Sequence, residues 1–304
     1  MKITKTKFLG WDCLMIEDDN KRIIFTKYAG GRVLYYGSKD FNILYETIDN
    51  PGKIIELPKE ATKEEIKKLR KELGWLNYGG YKVWLAPQYK WGEGLPPFLD
   101  LDSGIYEIQY YEKQNGDVVV LLSSPIDRET GIQIKKFFEI KKDSNEVNIE
   151  ISIEKENDEF DWWGIWNVCE VKKPVNIKIK DAKLLKTEEI FKYDEEVLEK
   201  NIIFNEEKNE FDIKIENIGG FKLYFLTQIG ELISYQPIYE KERYIKFIQK
   251  FDTFNTRYPH DSNIEIYSDK ERNFVELEIH SPLFTFTKEN KKFNFKLKWD
   301  FEII

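Results

Sequence analysis

The 304-residue sequence has only two cysteines, two methionines and two histidines. Cys13 and Cys169 are too few for the disulfide framework of a small secreted scaffold. A four-ligand zinc site would need both cysteines and both histidines, His260 and His280, and no CxxC or HxxxH spacing supports it. We therefore predict no metal site and no cofactor. The many carboxylates leave calcium binding open, although no EF-hand loop is present.

The sequence also lacks any apolar run long enough to cross a bilayer. Its first ten residues contain lysines but no apolar region like that of a signal peptide. The net charge is −8, so the chain has no general electrostatic attraction to nucleic acid or to anionic membranes. We predict a cytoplasmic protein with neither of these partners, and its oligomeric state stays open. The excess of Lys, Glu and Ile is typical of thermophile composition.

Aromatic residues, at 15%, and charged residues, at 34%, are abundant, and this aromatic content excludes a disordered chain. Apolar and polar residues alternate with a period of two in residues 147–154, 175–180, 211–216 and 293–299. Short turn signals rich in Asn, Asp and Gly separate such segments. We predict an all-β fold, a large antiparallel β-sandwich that forms a single domain over residues 1–304.

One segment has the period of a helix. Thr62 and Glu65 fit a capping box, apolar residues follow at spacings of three and four, and Gly74 can end the helix. Residues 195–200 are a second candidate. The sequence therefore predicts one or two short helices inserted between strands.

Residues 274–282 are the most informative for chemistry. Strand alternation places Glu276, Glu278 and His280 on one face. On an open surface these would be ordinary solvated side chains, with His280 paired to Glu278. In a cleft the same face offers a general base and a nearby acid. Two carboxylates about 7 Å apart along a strand also raise the pKa of one of them.

Three further segments are candidates for a binding site. Residues 162–170 contain three tryptophans, and alternation places Trp162 and Trp166 on one face and Trp163 on the other. Indole rings stack on sugar rings, although one set of rings could equally belong to the core. Residues 76–102 form a glycine-rich aromatic loop that is either functional or caps the sandwich. Residues 124–133 contain Asp127, which a simple turn also explains.

The order of five motifs points to a known family. The motifs are Gly30-Gly-Arg-Val33, Asn77-Tyr-Gly-Gly-Tyr-Lys-Val-Trp-Leu-Ala-Pro-Gln88, Ser123-Ser-Pro-Ile-Asp-Arg-Glu-Thr-Gly-Ile-Gln133, Trp166-Asn-Val-Cys-Glu170 and Val275-Glu-Leu-Glu-Ile-His-Ser-Pro-Leu283. This order resembles the domain-of-unknown-function family 4380 and, more distantly, the galactose-mutarotase-like superfamily of aldose 1-epimerases. The resemblance implies a β-supersandwich whose sugar site lies on the concave face of one sheet.

The resemblance also implies roles for individual residues. Glu278 is similar to the mutarotase glutamate that acts as general base on the anomeric hydroxyl, and Glu276 is the alternative. No histidine matches the family's acid, so Lys82, Glu170 or His280 would replace it. The residues expected to bind the small carbohydrate are Arg32, Asn77, Lys82, Trp84, Gln88, Asp127, Trp166 and Glu170.

Three functions therefore stay open. The first is a carbohydrate-binding protein that also acts on the anomeric carbon, as an aldose 1-epimerase-like isomerase. The second is a sugar-binding module without catalysis. The third is an accessory structural β-sandwich without a small ligand. The sequence does not determine which sugar is bound.

Overall fold

The structure, a computed structural model, describes residues 1–191, 194–238 and 242–304, in which antiparallel strands form two sheets. In spatial order the first sheet contains β1 (Lys2–Phe8), β2 (Trp11–Glu17), β3 (Arg22–Thr26), β4 (Val33–Ser38), β6 (Tyr81–Ala86), β11 (Asp161–Lys172), β20 (Phe274–His280), β19 (Ile264–Ser268), β16 (Phe221–Thr227) and β13 (Ala182–Glu189), with β5 (Phe41–Asn42) beside β4 and β21 (Phe284–Phe286) beside β11. The second sheet contains β14 (Ile202–Asn205), β15 (Glu210–Ile215), β12 (Val175–Lys180), β17 (Glu231–Ile238), β18 (Arg243–Phe251), β22 (Lys292–Ile303), β10 (Val147–Lys155), β9 (Ile132–Ile140), β8 (Val118–Ser123) and β7 (Glu107–Glu112). The predicted all-β sandwich is confirmed.

The hydrophobic core lies between the two sheets. Every second residue of β9 is buried, as its period of two predicts. Phe25 of the first sheet packs on Phe138 of the second, with ring centroids 5.1 Å apart. Tyr81 packs on Trp299 in the same way at 4.8 Å. Each such buried ring contributes roughly 1.5–3 kcal/mol through the apolar area it removes from water.

Three short α-helices lie in the described part of the chain. The first, α1 (Lys63–Leu73), has the predicted capping box and ends at Gly74. The second helix candidate, residues 195–200, forms α3 (Glu195–Asn201). The four-residue α2 (Leu99–Asp102) was not predicted, because the surrounding glycines and prolines hide any helical period. None of the described helices is long and apolar enough to cross a membrane.

The polar residues of β20 do not lie on an open face. Both faces of this strand are buried, and Glu278 and His280 have no exposed surface. The apolar face packs into the core through residues such as Leu277. The interpretation of residues 276–280 as an ordinary solvated face is therefore excluded.

Gly80 allows β4 and β6 to come close together at the edge of this polar face. Its φ is +71°, and an added Cβ would lie 2.3 Å from the carbonyl oxygen of Val33. A side chain here would be strained by its conformation and would clash with backbone. The glycine thus fixes the start of β6, which carries Lys82 and Trp84.

Candidate functional site

Five neighbouring strands, β6, β11, β20, β19 and β16, bring polar and aromatic side chains onto one face of the first sheet. Antiparallel pairing puts residues of different strands in register, and alternate residues share a face. Three rows result across the sheet: Trp84, Trp166 and His280; Lys82, Glu278, Glu265 and Tyr224; and Glu170, Glu276, Tyr267 and Lys222.

A cavity of about 1120 Å³ opens on this face. Its volume exceeds what a drug-sized ligand commonly fills, which is about 300–1,000 Å³. Aromatic side chains in its lining include Trp75, Trp84, Tyr89, Trp91, Trp166 and Tyr224. Polar side chains in its lining include Gln88, Glu188, Lys222, His260 and Glu276. The cavity therefore combines flat apolar rings with hydrogen-bonding groups of both charges.

Lys82 is the centre of the first buried charge cluster. Its Nζ lies 2.6 Å from Oε1 of Glu276 and also contacts the carboxylate of Glu170. The same ammonium sits 4.3 Å from the ring centroid of Trp84. Burial lowers the pKa of Lys82, but the two carboxylates outweigh this and hold its pKa above the usual value. Lys82 is therefore a buried permanent cation.

Lys222 is the centre of the second cluster. Its Nζ lies 2.7 Å from Oε2 of Glu265 and 2.8 Å from Oε2 of Glu278. Trp166 donates its Nε1–H to the same Glu278 oxygen at 2.7 Å. Burial raises the pKa of Glu278 to about 8, with the charge of Glu265 adding to this and Lys222 opposing it. Glu278 is thus a carboxyl that exchanges its proton near neutral pH.

The carboxylate of Glu265 contacts both histidines of the chain. Its Oε1 lies 2.9 Å from Nδ1 of His260 and 3.2 Å from Nε2 of His280. The hydroxyl of Ser262 donates to the same oxygen at 2.7 Å. Burial raises the pKa of Glu265, but Lys222 and the imidazoles outweigh it and hold this pKa well below its usual range. Glu265 is therefore ionised at neutral pH.

The structure brings most of the predicted site residues together. Gln88 lines the cavity. The residues that share the polar face are Lys82, Trp84, Trp166, Glu170, Glu276, Glu278 and His280. Within this group Glu276 lines the cavity, whereas Glu278 and His280 are fully buried.

Five predicted binding residues lie outside the cavity lining: Arg32, Asn77, Lys82, Asp127 and Glu170. The guanidinium of Arg32 donates to Asp102 at 2.8 Å, and Trp84 donates its indole N–H to the same oxygen at 2.7 Å. Asn77 accepts a hydrogen bond from the backbone of Gly79. Arg32 thus helps to orient Trp84 through a shared carboxylate, and Asn77 shapes the turn before β6.

Asp127 also lies outside the cavity lining. Its carboxylate accepts hydrogen bonds from the backbone and the hydroxyl of Thr130, at 2.8 and 2.7 Å. These are the contacts of a simple turn between β8 and β9. Burial raises the pKa of Asp127 to about 7.

The site residues on β16 and β19 were not predicted from the sequence. Lys222 follows Phe221 and precedes Leu223, and Glu265 stands between Ile264 and Ile266. A charged residue between apolar neighbours in a strand is the same signal that identified residues 276–280. It was available in both segments, but nothing local indicated that the three strands are adjacent.

No family model matches the chain, and no curated protein matches it. Among solved structures, it is similar to a galactose mutarotase-like protein from Clostridium acetobutylicum, with 10% identity, a TM-score of 0.61, and coverage of 100% of this chain and 99% of that one. A galactose mutarotase related enzyme from Lactobacillus acidophilus shows 8% identity and a TM-score of 0.55, with 95% and 97% covered. A TPR-domain containing protein from Parabacteroides distasonis shows 11% identity and a TM-score of 0.59. The match covers 96% of this chain but only 47% of that protein.

Likeness at such low identity shows the fold, which is the galactose mutarotase-like β-sandwich. The predicted resemblance to this superfamily is supported at that level. Membership of family 4380 stays a prediction, because no family model matches.

Proposed function

We propose that this protein binds a carbohydrate in the cavity of the first sheet. The observation that carries the proposal is the convergence of indole rings with Lys222 and Glu276 on one open cavity. Sugar rings present apolar C–H faces that pack on aromatic rings, and their hydroxyls pair with buried charged donors and acceptors. The mutarotase-like fold of the chain agrees with a ligand of this class.

The aromatic wall is rigid before any ligand arrives. Trp84, Trp91 and Trp166 pack edge to face or tilted against each other, with ring centroids 5.2–5.6 Å apart. Trp91 donates its indole N–H to the backbone of Leu85 at 2.7 Å. Rings fixed in this way lose little conformational freedom on binding, which favours affinity.

Tyr89 at the cavity rim provides a test in which folding is not at risk. It lines the cavity and is 65% exposed. We expect Tyr89→Ala to weaken the affinity for the bound saccharide by about tenfold, or ~1.4 kcal/mol, through loss of ring stacking. Isothermal titration calorimetry with a panel of monosaccharides and oligosaccharides measures the wild-type affinity first.

The matched control is Tyr111→Ala. Tyr111 is 56% exposed on β7 of the second sheet, away from the cavity. Tyr111→Ala should leave the dissociation constant for the saccharide unchanged. A panel in which no saccharide binds, or equal weakening by both variants, would contradict a sugar site in this cavity.

A second candidate function is proton transfer at the anomeric carbon of the bound sugar. The observation that favours it is the pKa of Glu278, raised to about 8 on the polar face. A general base works best when its pKa lies near the working pH. In this proposal Glu278 takes the anomeric hydroxyl proton, His280 donates to the ring oxygen, and Glu276 is the alternative base. Because Glu278 and His280 are fully buried, cavity side chains such as Lys222 must shift when sugar binds.

Polarimetry of freshly dissolved aldoses separates the two candidate functions. The proton-transfer function predicts that the wild-type protein speeds the approach to anomeric equilibrium. It also predicts that Glu278→Gln slows the catalysed rate by about 100-fold or more. Glu150→Gln on β10 of the second sheet is the control and should keep the wild-type rate. Saccharide binding without acceleration by the wild type would leave the binding function and remove the epimerase.

A further inference from the structure

The only two histidines of the chain meet at one carboxylate. His260 comes from the turn before β19, and His280 ends β20. Their ring centroids are 6.0 Å apart, and each ring has a nitrogen within 3.2 Å of Oε1 of Glu265. The three ligand atoms all lie within 4.8 Å of one another.

We propose that His260, Glu265 and His280 form a binding site for a divalent transition-metal ion, with Zn²⁺ as the best fit. Two imidazoles and one carboxylate are a ligand set that suits zinc and related ions. We predicted no metal site from the sequence because the histidines were considered only together with the cysteines. Cys13 and Cys169 are buried outside this group, and the third donor is a glutamate from a strand between the histidine positions.

The spacing of the three atoms suits one ion. Zn²⁺ with bonds of about 2.0–2.1 Å in a tetrahedral arrangement holds its ligand atoms about 3.3 Å apart. The two nitrogens lie 2.9 and 3.2 Å from Oε1 of Glu265. The two nitrogens lie within 4.8 Å of each other, so side-chain adjustments would bring all three atoms to coordination distance.

His280 gives a second, independent indication. It has no exposed surface, and neither of its ring nitrogens makes a hydrogen bond to another described residue. Burying an unpaired polar atom costs about 1–3 kcal/mol, and Nδ1 of His280 has no partner among the described residues. Nε2 lies close to Oε1 of Glu265 but is poorly aligned for a hydrogen bond. Such misalignment is expected of two metal ligands, because both point at the ion and not at each other. Trp166 packs on the His280 ring at 5.1 Å and fixes its plane.

The charge of the surrounding side chains also favours a cation. The two clusters contain more acidic than basic side chains, with four glutamates against two lysines; they are Glu170, Glu265, Glu276, Glu278, Lys82 and Lys222. The ammonium of Lys222 would repel a metal cation. It contacts Oε2 of Glu265, however, whereas the histidines contact Oε1. The hydroxyl of Ser262 also donates a hydrogen bond to Oε1, at 2.7 Å.

The site is open toward the cavity. The side chain of His260 is 24% exposed and lines the cavity, whereas Glu265 and His280 are fully buried. Three protein ligands leave a fourth position on zinc, as in catalytic zinc sites. Since His260 lines the space in which a sugar would lie, a sugar hydroxyl oxygen would be a fitting fourth ligand. The metal site itself does not depend on the proposed sugar binding.

Metal titration of the whole chain, without a polyhistidine tag and after treatment with a chelator, tests the proposal. We expect saturable Zn²⁺ binding at one ion per chain in calorimetry. Co²⁺ should give the intense visible absorption of a four-coordinate site. We expect His260→Ala to weaken Zn²⁺ affinity by about 100-fold or more, since even outer partners of metal ligands are worth about 10- to 100-fold. The matched control, Cys13→Ser with Cys169→Ser, should keep wild-type affinity.

Imidazole NMR of the wild-type chain provides a measurement that needs no variant. Only two imidazoles give signals, and both should shift together and saturate at one equivalent of Zn²⁺. Absence of saturable binding, affinity that is unchanged in His260→Ala, or imidazole signals that do not respond to the ion would each overturn the proposal. Sugar binding by the metal-free protein would remain measurable in every one of these cases.

Discussion

Lys82→Met is expected to lower the free energy of unfolding by about 3–5 kcal/mol. The substitution keeps the length and apolar packing of the side chain but removes the cation shared by Glu170 and Glu276. All three groups are buried, so both carboxylates would lose their charged partner inside the protein. Removing one member of a buried ion pair leaves a charge that water cannot reach. Chemical denaturation at pH 7 measures the change.

Lys135→Met is the matched control. Lys135 pairs with Glu154 at 2.7 Å, but its side chain is 35% exposed. Exposed ion pairs contribute about 0–1 kcal/mol, so this variant should be close to wild type. Adding Glu170→Gln and Glu276→Gln to Lys82→Met should restore much of the lost stability, because no unpaired charge then remains. Equal effects of Lys82→Met and Lys135→Met would contradict a buried, charged cluster.

The second prediction concerns the pH dependence of stability in Glu278→Gln. Burial raises the pKa of Glu278 to about 8 in the folded protein, whereas an unfolded glutamate titrates near its model value of 4.5. Between these values the folded state holds a proton that the unfolded state has released. Raising the pH through this window therefore lowers the free energy of unfolding of the wild type. Glutamine mimics the protonated form and removes this contribution.

Denaturation curves at intervals from pH 5 to pH 9 isolate this contribution. The difference in unfolding free energy, variant minus wild type, should rise in favour of the variant up to about pH 8 and then level off. Titrating groups that do not interact with Glu278 cancel in the difference. The control Glu150→Gln, on the second sheet, should give a difference that stays flat over the same range. A flat difference for Glu278→Gln as well would mean that Glu278 is ionised throughout.

The sequence predicts the fold well because its signals are local. A period of two identifies strands such as β9, and the capping box at Thr62 identifies α1. The same period put Glu276, Glu278 and His280 on one face. The structure adds that this face is buried and that it borders a cavity.

The partners of that face could not be predicted, because they depend on strand neighbours far apart in the chain. Lys222 contacts Glu278 across 56 positions, and Lys82 contacts Glu276 across 194. The order in which β6, β11, β20, β19 and β16 lie side by side is set by the packing of the whole sandwich. Arg32 shows a second effect of distant contacts, since its guanidinium pairs with Asp102, 70 positions away, and lies outside the cavity lining.

A crystal structure with the saccharide that binds best in calorimetry tests the sugar site most directly. We expect a sugar ring inside the cavity, packed against Tyr89 or the tryptophan wall, with hydroxyls within hydrogen-bonding distance of Glu276 or Lys222. A saccharide bound elsewhere on the surface, with this cavity free of it, would contradict the account.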